Sequence, residues 1–511
     1  MMLATSITSR GDNTLSGASS VFGRLAGRVG LILIQGVVAM VLALGTGCQR
    51  ASVENMIVVT QTPTAPVDGF FPVDILDSRY PPGSRVVVVD PVSDRPIRRV
   101  LSAGLFAAGG PVVAPDGDTV MFVARATADS LWQVYESPLA RSKPVVRTTM
   151  PGGAMGPVYL PDGRFAFSSP VPRLGRDLVG PRFPELYAQH AGDEKAEQLT
   201  FGLAGASDAT VLADGRILFV SGGSAFAAVT NQALFTINTD GTELTAYGGQ
   251  HDGAARVRRP RETRDGRVLF LSSDLESVGG EGQIEQVLTG RPFSSRSQFS
   301  AVTGSKVRSV EPASADLVLM TAPSAAEVQT YAVFALPPDL ATSGLREPWF
   351  DDPLWDEVEA IVARPGPRPM GRLSTVDESV DTGLILCLDA NETGGSTVDE
   401  QVRASRIRFL TPSSEGTVEF LGEIPLQSDG SFLAEVPANT LLGLEALDDS
   451  GRVVRRLPPT FWVRPGENRA CVGCHEPHGT CPDNRRPLAV KQPAVKLEQI
   501  ATGLAQTLEP R

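Results

Sequence analysis

From about Val86 to Leu336 the hydrophobic positions fall into short β-branched and aromatic runs, the clearest of them preceded by a polar turn built on Asp-Gly. The clearest runs are VMFVA after Asp116 and Gly117, FAFSS after Asp162 and Gly163, ILFVS after Asp214 and Gly215, and VLFLSS after Asp265 and Gly266. Asp-Gly supplies the positive φ that a tight hairpin needs. A second apolar segment follows in each unit: LWQVYES from Leu131, ELYAQ from Glu185 and ALFTINTDG from Ala233. Weaker copies flank these, with SRVVVVD at Ser84–Asp90 before them and ADLVLMTAP and YAVFAL after them. The turns recur at intervals of about fifty residues, the period of a propeller whose small sheets bury their faces only against one another. The pattern predicts a mainly β chain with a six-bladed β-propeller over residues 76–345.

Residues 346–380 change character, being rich in Pro, Trp and charge, and are expected to form a stiff connector. Alternating strands resume at GLILCLDA, SRIRFL, TVEFLGEIPL, SFLAEVPA, LLGLEALDDSGRVV and TFWVRPG, so residues 381–470 are expected to form a β-sandwich-like domain. Residues 471–511 form a C-terminal tail, with one short helix expected from Val495 to Leu508. At the other end, Arg10, Arg24 and Arg28 precede an apolar run from Val29 to Leu44 and the small residues before Cys48. That is an export signal over residues 1–47, followed by a linker over 48–75. Cys48 sits where a lipoprotein signal places its acylated cysteine, although Gly45 stands where Leu is usual. Lipidation of Cys48, cleavage to a soluble form and a retained anchor all stay open, and each puts the rest of the chain outside the cytoplasm.

Composition narrows the function. The 51 Gly and 40 Pro among 511 residues suit a turn-rich β chain. A formal net charge of -12 leaves no excess of Lys and Arg to displace counterions from phosphates, which argues against a nucleic-acid partner. No Ser/His/Asp set, phosphate loop or carboxylate pair stands out.

The informative chemistry is the run Cys471, Val472, Gly473, Cys474, His475. Covalent haem attachment needs two thiols to add to the porphyrin vinyl groups and an imidazole directly after them to bind the iron. The chain has only 5 Cys and 4 His, and three of these nine fall in this one run. Two other chemistries stay open: a zinc knuckle of Cys471, Cys474, Cys481 and His478, and a disulfide with no cofactor. A metalloprotease reading of His475 and His478 fails, because they stand three apart with Pro477 between them. Every Met lies at or before Met370, so no downstream Met can complete a His/Met pair. The sixth position falls to His190, His251, His478, Lys491, a partner, or none.

From about Gly383 onward the chain resembles the middle and C-terminal part of the hydrazine synthase alpha subunit and its bacterial relatives. The resemblance rests on Asp429, Gly430, Ser431 and Phe432; Val436 to Thr440; Leu447, Asp448 and Gly451; Arg464 to Glu467; and Cys471 to Glu476, with Arg364, Pro365, Thr382 and Gly383 upstream. The repeat texture, with Gln198, Leu199 and Thr200 closing one unit, is similar to TolB-type propellers. The resemblance implies a propeller and a β-domain carrying one heme c through Cys471 and Cys474, with His475 as axial ligand. It does not imply hydrazine synthesis, since this chain has one such motif and Cys48 and Cys387 stand isolated. The expected role is electron transfer or a redox-linked scaffold, membrane-anchored in the periplasm and working with a redox partner protein. The alternative is a propeller binding module with a stapled or zinc-bound end. Turnover of small nitrogen or oxygen species at an open haem is a third.

Overall fold

The computed structural model describes residues 56–64, 75–170, 183–203, 205–222, 232–249, 256–273, 281–299, 306–324, 330–337, 347–392, 402–413, 418–473 and 485–497. Among these residues, six small antiparallel sheets form a closed ring, followed by two four-stranded sheets packed face to face.

The runs read from the sequence are the second and third strands of the ring sheets. Thr119–Arg125, Phe165–Ser169, Ile217–Ser221 and Arg267–Ser273 follow the four Asp-Gly turns. They pair with Gln133–Pro138, Glu185–Gln189, Ala233–Ile237 and Gln283–Leu288. Both of their faces are covered by neighbouring blades, which explains the continuous apolar runs. The strands nearest the axis are Ala107–Val113, Met155–Tyr159, Ser207–Val211, Arg256–Glu262, Ser309–Pro312 and Trp355–Val362, and each touches the next around the ring.

The ring closes with residues that the sequence pattern placed outside it. Ile57–Pro63, inside the expected linker 48–75, pairs antiparallel with Trp355–Val362, inside the expected connector 346–380. Both belong to blade 1, which Arg85–Val89 and Ile97–Val100 complete. The propeller therefore extends beyond 76–345 at both ends. Its first sheet is stitched from the two ends of the ring, so each strand lacks a local partner in sequence. A second departure is the short helix Ile75–Arg79, which buries Leu76 and Tyr80. A helix of one turn is marginal by itself. Asp77 anchors it, accepting from Trp132 Nε1 at 2.9 Å and Arg125 Nη1 at 2.8 Å.

The second domain is a sandwich. One sheet runs Asn468–Cys471, Thr382–Cys387, Phe432–Pro437, Val495–Lys496, and the other Val418–Pro425, Arg406–Pro412, Leu442–Leu447, Val453–Phe461. Ile385, Phe432, Ile407, Phe409 and Ala446 fill the space between them. Val495 and Lys496, the first residues of the helix expected from Val495 to Leu508, add a short parallel edge to Ala434 and Glu435; residues 498–508 of that helix lie outside the described residues. The sheet edge offers unpaired backbone groups, which these two residues pair.

The connector after blade 1 straps the ring. Gly366 N donates to Pro115 O at 3.1 Å and Met370 N to Ala213 O at 3.1 Å. It passes so close that a Cβ on Gly117 would stand 2.5 Å from Pro365 N, and one on Gly215 2.1 Å from Met370 O. Two of the Asp-Gly glycines thus serve both a turn and a crossing chain. Gly163, with φ 91°, has nothing within 4 Å of its Cβ position. Gly163→Ala should cost only the backbone term, about 1 kcal/mol. Gly215→Ala should cost about 2 kcal/mol more through overpacking against the strap. Denaturant unfolding of the two variants measures the difference.

Candidate functional site

The sandwich meets the propeller through one buried guanidinium. Arg464 follows Trp462, whose ring packs at 5.7 Å from that of Phe201 and whose Nε1 donates to Gly241 O at 3.1 Å. Arg464 donates to Asp240 O at 2.9 Å, Gln198 O at 3.2 Å and Asn439 Oδ1 at 2.8 Å, and pairs with Glu197. Gly466 takes φ 74° and turns the chain so that Glu467 accepts from Arg464 N at 2.7 Å and Glu243 N at 3.0 Å. Arg469 then donates to Leu244 O at 2.7 Å. The residues Arg464 to Glu467 are therefore a docking turn that delivers the strand Asn468–Cys471.

That strand lies parallel to Thr382–Cys387, with Cys471 in register with Cys387. The ladder continues beyond it: Leu388 N donates to Cys471 O at 3.0 Å and Asp389 N to Val472 O at 3.2 Å. A Cβ on Gly473 would fall 2.4 Å from Glu392 O, so only glycine fits at that position against this loop. The chain returns at Arg485, which pairs with Asp389 at 3.2 Å and Asp429 at 3.4 Å. Leu488 N donates to Asp429 Oδ2 at 2.9 Å and Ala489 N to Ser431 Oγ at 3.0 Å. Burial opposes the charge of Asp429, but donors from Ser431, Leu488 and Arg485 hold its carboxyl below the ordinary range. The described residues on both sides of 474–484 are thus pinned to the Asp389 loop and the Asp429–Ser431 turn.

Cys471 is half-buried against the sandwich core, and Cys387 is 3% exposed within it. Cys387 was expected to stand alone; strand register, which spacing does not reveal, sets it opposite Cys471. Cys474, His475, His478, Cys481, His251 and Cys48 lie outside the described residues. His190 is exposed at the end of strand Glu185–Gln189 in blade 3, its N–H donating to Asp193 at 3.1 Å. Lys491 is exposed and ends the short 3-10 helix Leu488–Lys491, at the same end of the sheet as Cys471.

A second polar centre, absent from the sequence reading, lines the propeller axis. Ladder register shifts interrupt four successive inner strands, and residues 110, 156, 208 and 259 there take φ of 64°, 58°, 49° and 51°. Each stands seven residues before the glycine of its Asp-Gly turn. The first two are glycines; the others are Asp208 and Arg259, held in a conformation that costs about 1–2 kcal/mol for such residues. They face a cavity of about 70 Å³. Arg79 pairs with Asp208 at 3.2 Å, Arg259 with Glu359, and Arg261 with Glu311 at 2.8 Å. Glu359 also accepts from Tyr80 at 2.5 Å, Thr60 at 2.8 Å and Gly110 N at 2.7 Å. Burial disfavours a charged Asp208, but Arg79 and Arg259 outweigh it and pull the carboxyl down to about 2. Nearby Glu357 accepts from Gln61 Nε2 at 2.7 Å and, at the longer 3.4 Å, from Asp352 N, and burial pushes it up to about 9. The sequence signal that could have revealed this centre is the repeated Gly-Pro, Gly-Pro, Asp-Ala, Arg-Pro upstream of the turns.

A closed β-propeller docked to a β-sandwich whose strand Asn468–Cys471 begins the Cys-Val-Gly-Cys-His run defines the class. Within that class the chain is related to the hydrazine synthase alpha subunit: residues 390–476 match the model of its middle domain. The structure is similar to Kuenenia stuttgartiensis hydrazine synthase, with a TM-score of 0.72 and 17% identity over 86% of this chain and 71% of that one. TolB from Acinetobacter baumannii is also similar, at TM-score 0.40 and 13% identity over 61% of this chain and 67% of that one. A putative TolB from Agrobacterium tumefaciens matches at TM-score 0.33 and 15% identity, over 40% and 70%. No protein of curated function matches the chain.

Two outcomes follow for the axis. Asp208→Ala and Asp208→Gly both remove the ion pair, but only glycine relieves the left-handed backbone. The Gly variant should therefore be about 1 kcal/mol the more stable in denaturant titration. Glu357 is raised above its ordinary value of 4.5, so the folded chain binds a proton that the unfolded chain releases. Its contribution is fully present below 4.5 and is lost as pH rises toward about 9. Glu357→Gln should flatten that fall in thermal midpoints measured across the window.

Proposed function

We propose that this chain is an exported c-type haem protein in which Cys471 and Cys474 form the thioether links and His475 is the axial ligand. The observation that supports the proposal is that the described residues on either side of the run's later part, Cys471–Gly473 and Arg485–Ala489, are held by the same domain. The residues fit the group: Cys471 is partly exposed at a strand end, and Gly473 lets the chain that leads to Cys474 pass close against the Glu392 backbone. The matched middle-domain stretch, 390–476, runs through the whole motif. Bound haem supplies one-electron redox chemistry. The chain's own residues fix where that chemistry sits. Arg464 and Trp462 lock the sandwich to the propeller, Glu467 and Arg469 set the strand, and Asp389 and Asp429 hold the segment's flanks.

The role this supports is electron transfer to a redox partner protein, or a redox-linked scaffold, in the periplasm with Cys48 as the lipid-bearing residue. A second reading, a binding module with a disulfide-stapled end, is favoured by one observation, the register of Cys387 with Cys471.

The full chain made in a host with c-type maturation machinery should give a reduced pyridine haemochrome spectrum and one haem-stained band on a denaturing gel. Cys474→Ala should lower covalent haem content sharply, and His475→Ala should change the axial signature while keeping thioether-linked haem. A native chain without covalent haem would overturn the proposal in favour of the stapled module.

A further inference from the structure

Cys387 has no part in the motif, yet the fold sets it beside the first motif cysteine. The two are direct partners in a parallel ladder, each the last residue of its strand. Directly opposed residues project to the same face of a sheet. Both cysteines meet the same sandwich core, Cys387 within it and Cys471 packed against it. Neighbouring strands lie about 4.8 Å apart, inside the Cα separation of about 4.4–6.8 Å that a disulfide spans.

We propose that Cys387 and Cys471 form a reversible disulfide in the haem-free chain, so that Cys387 gates covalent attachment at Cys471. The gate, though not the cross-link, rests on the haem assignment above. Closure transfers two electrons and two protons from the thiols to a disulfide-bearing oxidant, which leaves as a dithiol. Opening begins when a dithiol reductant attacks the sulfur of half-exposed Cys471, because Cys387 is shielded in the core. Cys387 leaves as a thiol, and the second thiol of the reductant then resolves the mixed disulfide and frees Cys471. Only then does the Cys471 S–H add across a vinyl C=C, a step that needs no oxidant. Pairing with a buried third cysteine thus withholds the Cys471 thiol until a reductant arrives.

The cross-link is tested on full-length haem-free protein, with thiols blocked by N-ethylmaleimide in denaturant without reductant and then digested with trypsin. Cys387 falls in peptide 373–403, and Cys471, Cys474 and Cys481 share peptide 470–485. The expected product is the two peptides joined, with fragment ions locating the bond between Cys387 and Cys471. Recovery of Cys387 as its maleimide adduct, or bonded to another cysteine, overturns the proposal. The gate is tested by haem content per chain, with and without a thiol reductant during maturation. Reductant should raise haem content several-fold in the native chain and leave Cys387→Ala unchanged. Cys387→Val serves if the Ala variant fails to fold. Equal reductant dependence in native and variant chains overturns the gate. Absence of haem from both, with the joined peptide present, overturns the haem assignment and the gate while the cross-link stands.

Discussion

The guanidinium of Arg464 is the contact on which the rest of the structure depends. It is almost fully buried, and it reaches backbone carbonyls on two propeller blades as well as side chains from both domains. An arginine in such a place keeps its charge, so every donor has to find an acceptor. Carbonyls at the ends of blades 3 and 4 meet that need, which fixes the angle at which the sandwich leaves the ring. Two residues later the chain turns at Gly466 and then enters the strand Asn468–Cys471, so the cysteine segment inherits its position from that angle. The site is therefore placed by the domain junction as much as by the sandwich that carries it.

The propeller axis follows a different logic. Blades 2 and 3 meet their tight bulges with glycine, and blades 4 and 5 meet the same geometry with Asp208 and Arg259. Those two residues hold strained backbone because their side chains find opposite charges across the cavity, on the helix Ile75–Arg79 and on the closing strand Trp355–Val362. Ion pairing between elements far apart in sequence thus ties the helix and the closing strand to the middle of the ring.

Much of the fold was legible because the second and third strands of each blade are covered on both faces. VMFVA, FAFSS, ILFVS and VLFLSS could hardly be anything else, and their Asp-Gly turns announced the repeat. The inner strands were hidden for the opposite reason. A stretch such as RVRRPRE lines a charged axis and carries a proline, which ordinarily argues against a strand and is tolerated here at a bulge. Ile57–Pro63 was invisible as a blade strand since its partner lies some three hundred residues away. The cysteine motif announced itself by spacing alone. Neither Cys387 nor the Glu359 network could be read that way, because strand register and ring closure bring them to their partners.

The stitching of blade 1 also imposes a timetable on the growing chain. Ile57–Pro63 emerges early from synthesis, but its inner neighbour Trp355–Val362 comes only after the five other blades. Until then the ring has a gap, with sheet edges bare on either side of it. The cysteine segment follows about a hundred residues behind the closing strand, since domains fold as units in order of synthesis. By the time Cys471 appears, the surface that Arg464 docks against already exists, and the site is assembled on a finished scaffold.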